Sequence, residues 1–308
     1  MARIAWLGLG GIGKAICLNI VKYGQYEESV VVWNRTHQTA VDFASEAAKI
    51  VVVGSVAEAV AVCDIICLCL ADDAAVNQVV DAAIETADIP GKLFVDLSTI
   101  HPNTATELHS KLKLHGADYL ASPIFGGVPL AVHRQITLVL AGSSEAIERF
   151  RPFTDGVICK NSILLRNQPC RQASILKLIG NYIRLSAIRS LCEGLALSEV
   201  LGLAPQTLAS FTETMNTSPT PQQIQMLLSG EYYKGTKPTV PMSMVVKEND
   251  YLSDLISQAG AQVATFDELV KTTNRLVEAR GANASILSLF GVLREGCGLP
   301  FENQARDE

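Results

Sequence analysis

Gly8, Gly10 and Gly13 stand as G-L-G-G-I-G directly after the apolar run 3–7 and at the head of a helical stretch beginning near Gly11. This spacing makes three separate demands on the backbone. Gly8 permits a tight turn out of a strand, Gly10 lets the main chain approach a pyrophosphate, and Gly13 lets the helix pack closely on the strand it follows. The helix N-terminus then attracts the phosphate charge. Alone, G-x-G-x-x-G is a weak signal, but here it lies between a strand and a helix, and a second strand ends at Asn34, 21 residues beyond Gly13. The segment therefore predicts a βαβ unit that binds a dinucleotide through Gly8, Leu9, Gly10, Gly11, Ile12 and Gly13. The same glycines account for the apolar start bearing Arg3, which by composition alone reads as an export signal.

The end of the second strand selects the dinucleotide. An NAD site places a carboxylate there for the ribose 2′-OH, whereas a 2′-phosphate is repelled by that carboxylate and pairs with a guanidinium. The chain reads Asn34, Arg35, Thr36, an amide, a planar cation and a hydroxyl. This set accepts a phosphate and predicts NADP(H). The bland alternative is that Arg35 is a solvated charge while Asn34 and Thr36 cap the next helix.

The 308 residues leave room for about two cores at roughly 150 residues each. Short β-branched runs at 3–7, 30–33, 64–70, 93–96 and 136–141 read as strands, and helical segments follow the first four. Such alternation predicts a Rossmann-type α/β domain, a doubly wound parallel sheet, over residues 1–165. The pattern then changes. Asn167 as a cap, Pro169 in a first turn and apolar residues at helical spacing as far as Gly202 predict one helix of about 33 residues, roughly 50 Å long. This interdomain helix leads into an all-α domain over 166–308, with further helices near 205–215, 219–229, 243–259, 263–279 and 283–294. The helix is apolar on several sides, with Ile175, Leu178, Ile179, Tyr182, Leu185, Ile188, Leu191 and Leu195 along one stripe and Leu176, Ile183 and Leu197 elsewhere. It must be covered on several sides, and a second copy of the chain is the simplest cover, so a homodimer is expected.

Composition narrows the partners. Twenty-five Lys and Arg against 31 Asp and Glu give a formal charge of −6, which repels a phosphate polymer, so no nucleic acid partner is expected. No stretch of about twenty residues is free of charge, which argues against a membrane span. The eight cysteines lack the regular spacing of a disulfide scaffold, and a reducing, cytoplasmic setting is expected. Cys67 and Cys69 share one face of a strand, but no His cluster or second pair completes a metal site, and they read as core.

Lys177 and Asn181 lie four apart on the long helix, stacked on one face within an apolar stretch. A buried ammonium needs partners, so the pair marks a site, unless Lys177 snorkels to solvent and Asn181 bonds locally. Four segments in order, GLGGIG, VDLSTIHP (95–102), SPIFGG (122–127) and KLIGN (177–181), together with LADDAAVNQVV (70–80) and MVVKE (244–248), resemble the β-hydroxyacid dehydrogenase family. That family includes the 3-hydroxyisobutyrate dehydrogenases and the glyoxylate/succinic semialdehyde reductases.

The resemblance implies an NADP-dependent dehydrogenase or reductase of a small carbonyl or hydroxyl substrate, a β-hydroxy acid or semialdehyde. It implies hydride exchange with the nicotinamide, with Lys177 as proton donor to the carbonyl oxygen and Asn181 orienting substrate or Lys177. It places Leu70, Ala71, Ser98, Thr99 and Lys247 at the coenzyme, and Ser98, Phe125, Gly126 and Gly127 at the substrate. Without the family, Ser98 and Thr99 read as caps of the helix near His101 and Pro102, Asp72 and Asp73 as caps, and Lys247 as an exposed helix lysine.

The chain departs from the family in its substrate loop, where Phe125 stands in place of a carboxylate-holding Ser. Arg134 stands where Gly is usual, and Arg171, Gln172 and Ala173 replace the glycine-rich approach to the lysine. Either a bulkier, less acidic carbonyl compound or a carboxylate held by Arg134 or Arg171 fits this pattern. Two other readings stay open: an imine or enamine reductase on the same fold, and a non-catalytic, cofactor-binding interaction protein.

Overall fold

The computed structural model describes residues 2–24, 28–86, 88–215, 221–235, 238 and 240–303. The chain divides into two compact units, Met1–Lys177 and Leu178–Glu308.

In the first unit β1 (Ile4–Leu7), α1 (Gly11–Tyr23), β2 (Val30–Trp33), α2 (His37–Ala44), β3 (Ile50–Val52), α3 (Val56–Ala61), β4 (Ile65–Leu68), α4 (Asp73–Thr86), β5 (Leu93–Asp96), α5 (Pro102–Leu114) and β6 (Asp118–Ala121) alternate. They are followed by β7 (Ile124–Phe125), α6 (Val128–Val132), β8 (Thr137–Gly142), α7 (Ser144–Phe150) and β9 (Asn161–Arg166). The strands form one sheet in the order β3-β2-β1-β4-β5-β6-β8-β7, with β9 also on β8. The strands from β3 across to β6 pair in parallel, with Ala5 beside Val31 and Ile66, and Asp96 beside Leu68 and Ala121.

Every residue of β1, β4 and β5 is buried, because helices cover both faces. Ile4 and Trp6 point to a layer containing Ile16, Ile20 and Phe43, while Ala5 and Leu7 point to one with Val76, Val80, Leu108 and Leu112. The chain leaves β1 toward β2 and β3 on one side, then crosses to β4, β5 and β6 on the other. The C-terminal ends of β1 and β4 thus flank a switch point, where loops diverge and open a crevice.

Two expectations need correction. Strand β8, read from sequence as part of a parallel sheet, runs antiparallel to both β6 and β7, so the sheet is mixed at that edge. The connection 122–136 is a hairpin-like return through β7 and α6 rather than a helical crossover, and a short return reverses strand direction. The long helix α8 begins at Arg171 and ends at Val200 rather than starting beside Asn167. Asn167 has φ of 54° and its side chain accepts a hydrogen bond from the Ser144 N–H at 2.9 Å, so its capping oxygen serves α7.

The second unit holds the rest of α8 with α9 (Pro205–Thr214), α10 (Pro221–Leu228), α11 (Glu231–Lys234), α12 (Met242–Gln258), α13 (Ala264–Arg280) and α14 (Leu289–Gly296). The expected 283–294 helix is split into a 3-10 turn at Ile286–Ser288 and α14. The first residues of the expected 219–229 helix lie outside the described residues. Ile188, Leu191, Cys192 and Leu195 of α8 enter this core with Ile224, Leu227, Met242, Leu276 and Phe290. Arg294, 2% exposed, pairs with Glu199 and ties α14 to α8.

Candidate active site

The glycine loop is built into the first unit at its switch point. Gly8 adopts φ of +105°, and a Cβ there would lie 2.3 Å from the Cys69 carbonyl oxygen. At Gly13 a Cβ would lie 2.4 Å from the Gly8 oxygen, because α1 packs directly on the turn. At Gly10 a Cβ meets nothing within 4 Å, so that glycine leaves open space on the outer side of the loop. Gly10 is the N-cap of α1, no side chain caps the helix, and its first turn carries no acidic residue. Uncapped first-turn N–H groups beside an open backbone make a cradle for an anion, which fits a pyrophosphate.

The loop is fixed to the end of β2. Gly8 N–H donates to the Trp33 oxygen at 3.0 Å, and Leu9 N–H donates to Asn34 Oδ1 at 3.0 Å. Asn34 Nδ2 donates in turn to the Thr36 oxygen at 3.1 Å. Asn34 is therefore a tie between strand end and loop. Thr36 occupies the N-cap position of α2, but its hydroxyl caps nothing, and Arg35 beside it is exposed. No carboxylate among the described residues pairs with Arg35.

Across the switch point the loops after β4 and β5 are joined. Buried Ser98 accepts through Oγ from the Leu70 N–H at 2.9 Å and donates its own N–H to Asp96 Oδ1 at 2.9 Å. The Tyr119 hydroxyl donates to Asp96 Oδ2 at 3.0 Å. Burial outweighs these hydrogen bonds and pushes the Asp96 carboxyl up to about 6. Burial, with the Asp96 charge added, raises the Cys69 thiol to about 12. Thr99 is half-buried and Ala71 exposed. The N-cap of α5 is His101, its ring nitrogen accepting from the Asn103 N–H at 3.1 Å, while the Ser98 hydroxyl that the alternative reading made a cap accepts from Leu70 instead. Asp72 accepts from Ala75 N–H at 2.9 Å, and Asp73 accepts from His101 N–H at 2.9 Å.

The 122–127 loop, where the resemblance implies a substrate, comes to the same end of this unit. Gly126 has φ of +135°, where a Cβ would press on Ile136, and Gly127 is the N-cap of α6. Val128 of α6 lies 3.0 Å from where a Gly11 Cβ would be, and Asn19 Nδ2 donates to the Ala131 oxygen at 2.7 Å, so α6 rests on α1. Lys177 is buried at 8% exposure. Its Nζ donates to the Ile124 carbonyl oxygen at 2.8 Å and lies 5.0 Å from the centre of the Phe125 ring. A carbonyl oxygen and an aromatic face are both partners for a cation. The ammonium is thus held inward, and the reading in which it reaches solvent does not apply.

Arg134 is engaged elsewhere: its guanidinium donates to the Gly156 oxygen at 2.7 Å and stacks 3.9 Å above the Tyr23 ring. Arg171 keeps its Nε enclosed with no hydrogen-bond partner among the described residues. In the second unit Asn181 Nδ2 donates to Glu248 Oε2 at 2.7 Å, so its partner is an acidic side chain from α12. Lys247 lies 5.8 Å from the Tyr251 ring. Asp96, Tyr119 and Glu248 escaped the site reading of the sequence. An Asp two residues before a Ser at a strand end is an Asx-turn pattern and could have flagged Asp96. No group of three or more metal-binding side chains occurs among the described residues.

Residues 3–157 match the family described as the NAD binding domain of 6-phosphogluconate dehydrogenase. The chain is 31% identical to the NADH-dependent oxidoreductase UcdB of Aspergillus ustus, over 94% of this chain and 98% of that protein. It is 28% identical to the cytokine-like nuclear factor N-PAC of Homo sapiens over 89% of this chain, spanning about half (49%) of that longer protein. Its fold is similar to that of a 3-hydroxyisobutyrate dehydrogenase of Mycobacterium tuberculosis solved with L-serine. That match has 23% identity and a TM-score of 0.81, over 96% of this chain and 99% of the other.

Proposed function

Because the chain belongs to the β-hydroxyacid dehydrogenase family, we propose that it is an NADP(H)-dependent reductase or dehydrogenase of a small carbonyl or hydroxyl compound, with Lys177 as the proton donor. The observation that carries this reading is the inward ammonium of Lys177, buried against the substrate loop by Ile124 and Phe125. A buried cation on an apolar helix is costly, and its use is to stabilise an oxygen that gains negative charge. In the reductive direction an Nζ proton passes to that oxygen; in the oxidative direction the amine takes it back from the hydroxyl.

The coenzyme, when bound, supplies or accepts the hydride. Gly8 to Gly13 and the head of α1 hold its pyrophosphate, with Leu70, Ala71, Ser98, Thr99 and Lys247 as further contacts that the family pattern suggests. For the substrate, the family pattern suggests Gly126, Gly127 and, separately, Asn181. Phe125 offers an apolar face where a hydroxyl would have bound a carboxylate, and this favours substrates with an uncharged substituent there. Oxidation of NADPH followed against semialdehydes, α-ketoesters and cyclic imines tests the reading. Turnover of a carbonyl compound is expected; silence across the set overturns it, and turnover confined to imines would move the assignment to imine reduction.

UcdB is named for NADH, yet the strand end here has an exposed guanidinium and no carboxylate, which supports NADP(H). Arg35→Ala should weaken NADPH by roughly 10- to 100-fold and leave NADH nearly unchanged. Titrating both nucleotides into both proteins checks this, and equal losses for the two would defeat it.

In the second unit Ile183, Leu197, Leu201 and Phe211 are 59%, 52%, 73% and 57% exposed. So much apolar surface on one set of helices supports association with a second copy. Light scattering should give twice the chain mass of 33.1 kDa; a stable monomer at micromolar concentration contradicts it.

A further inference from the structure

Asp96 is 1% exposed, and among the described residues the groups that face it hold no cation. On its own loop it meets the Ser98 N–H; from β6 the Tyr119 hydroxyl, itself beside Cys170; after β4 the Cys69 thiol; and at the head of α4 the Asp73 carboxylate. A buried carboxylate with no positive partner costs stability, so its contribution must lie elsewhere. What it does hold is a run of hydrogen bonds from β6 to the ends of β5 and β4: Tyr119 Oη–H to Asp96 Oδ2, Ser98 N–H to Asp96 Oδ1, and Leu70 N–H to Ser98 Oγ. Remove the carboxylate and nothing among these bonds fixes the turn that aims Ser98.

Resting on the coenzyme-binding reading above, we propose that Asp96, oriented by Tyr119, is a positioning residue for the reaction: it sets Ser98 and through it locks the loop after β4 to the loop after β5 at the coenzyme site. The lock is intact while Asp96 is ionised, since only the carboxylate accepts from both donors at full strength. It loosens as Asp96 takes a proton near pH 6.

The test uses the full chain with Asp96→Asn and Tyr119→Phe, reading NADPH dissociation constants from pH 5 to 8 and thermal unfolding alongside. The ratio of Asp96→Asn to wild-type dissociation constants should be about 10 at pH 8 and fall toward 1 at pH 5; the nucleotide's own phosphate titration cancels in this ratio. Thermal stability should move the other way. The folded-state carboxyl titrates above its unfolded value of 3.8, so the charge costs stability above pH 6, and the neutral amide should melt higher at pH 8. Tyr119→Phe should weaken binding several-fold at pH 8 even if Asp96→Asn fails to fold. A ratio flat across pH, or stability and binding falling together, assigns Asp96 a structural role only and overturns the proposal. Wild-type protein that binds neither NADPH nor NADH removes the coenzyme reading, and this proposal with it; wild type that binds while both variants bind equally well removes the proposal alone.

Discussion

Lys177→Ala should lower turnover by about 10²-fold or more while NADPH binds almost as before. The direction follows from what the side chain touches. Its Nζ meets the Ile124 carbonyl and the Phe125 ring, both in the 122–127 loop, and neither belongs to the glycine turn. Truncation removes the proton and leaves the Ile124 oxygen without that donor, so a modest loss of stability, about 1–3 kcal/mol, accompanies the kinetic loss. Lys177→Arg separates the two effects. A guanidinium restores the charge and a donor to Ile124, but gives up no proton near neutrality, so stability should recover and turnover should not. Steady-state rates beside fluorescence titration of NADPH decide this; a Lys177→Ala protein that turns over normally removes the residue from the chemistry.

Gly8→Ala should be severely damaging. The new carbon must sit at φ of +105° and 2.3 Å from a main-chain oxygen of the neighbouring strand end, where no side-chain rotation relieves it. Either β1 and β4 part at the switch point or the turn inverts. The expected cost is about 3 kcal/mol or more, seen as a fall of roughly 6–12 °C in melting temperature, with NADPH affinity lost by well over tenfold. Gly10→Ala is the matched control: its Cβ enters open space, so the fold should be unaffected while the nucleotide is displaced. Equal melting temperatures for wild type and Gly8→Ala would show that the turn yields more readily than its geometry implies.

The parts of the fold legible in the sequence are those where a local rule and the tertiary context agree. Strands β2 and β5 and the start of α1 at Gly11 stand where β-branched runs and the glycine spacing put them. Strands β3, β6 and β7 were missed for physical reasons. Ile50–Val52 is three residues on a sheet edge, Ile124–Phe125 is two, and Asp118–Ala121 opens on an exposed acid, so none shows a period. Asn167 read as a helix cap because its side chain is a cap, but for α7 rather than α8. At the site, Lys177 and Asn181 were visible as polar residues a turn apart on an apolar helix. Their partners were not, because one is a main-chain carbonyl and the other, Glu248, comes from a helix 67 residues away.

The tie between Asn34 and the glycine turn bears on how readily such a chain can exchange one nucleotide for another. The bond from Leu9 N–H needs only an oxygen at that position, and aspartate has the same skeleton and supplies one. An Asn34→Asp change would therefore retain the loop anchor and give up only the weaker link to Thr36, while introducing the acid that favours a free ribose hydroxyl. An Asn34→Asp protein is therefore expected to shift its relative affinity toward NADH with the glycine turn still anchored, while Arg35 beside it retains a cation for a 2′-phosphate.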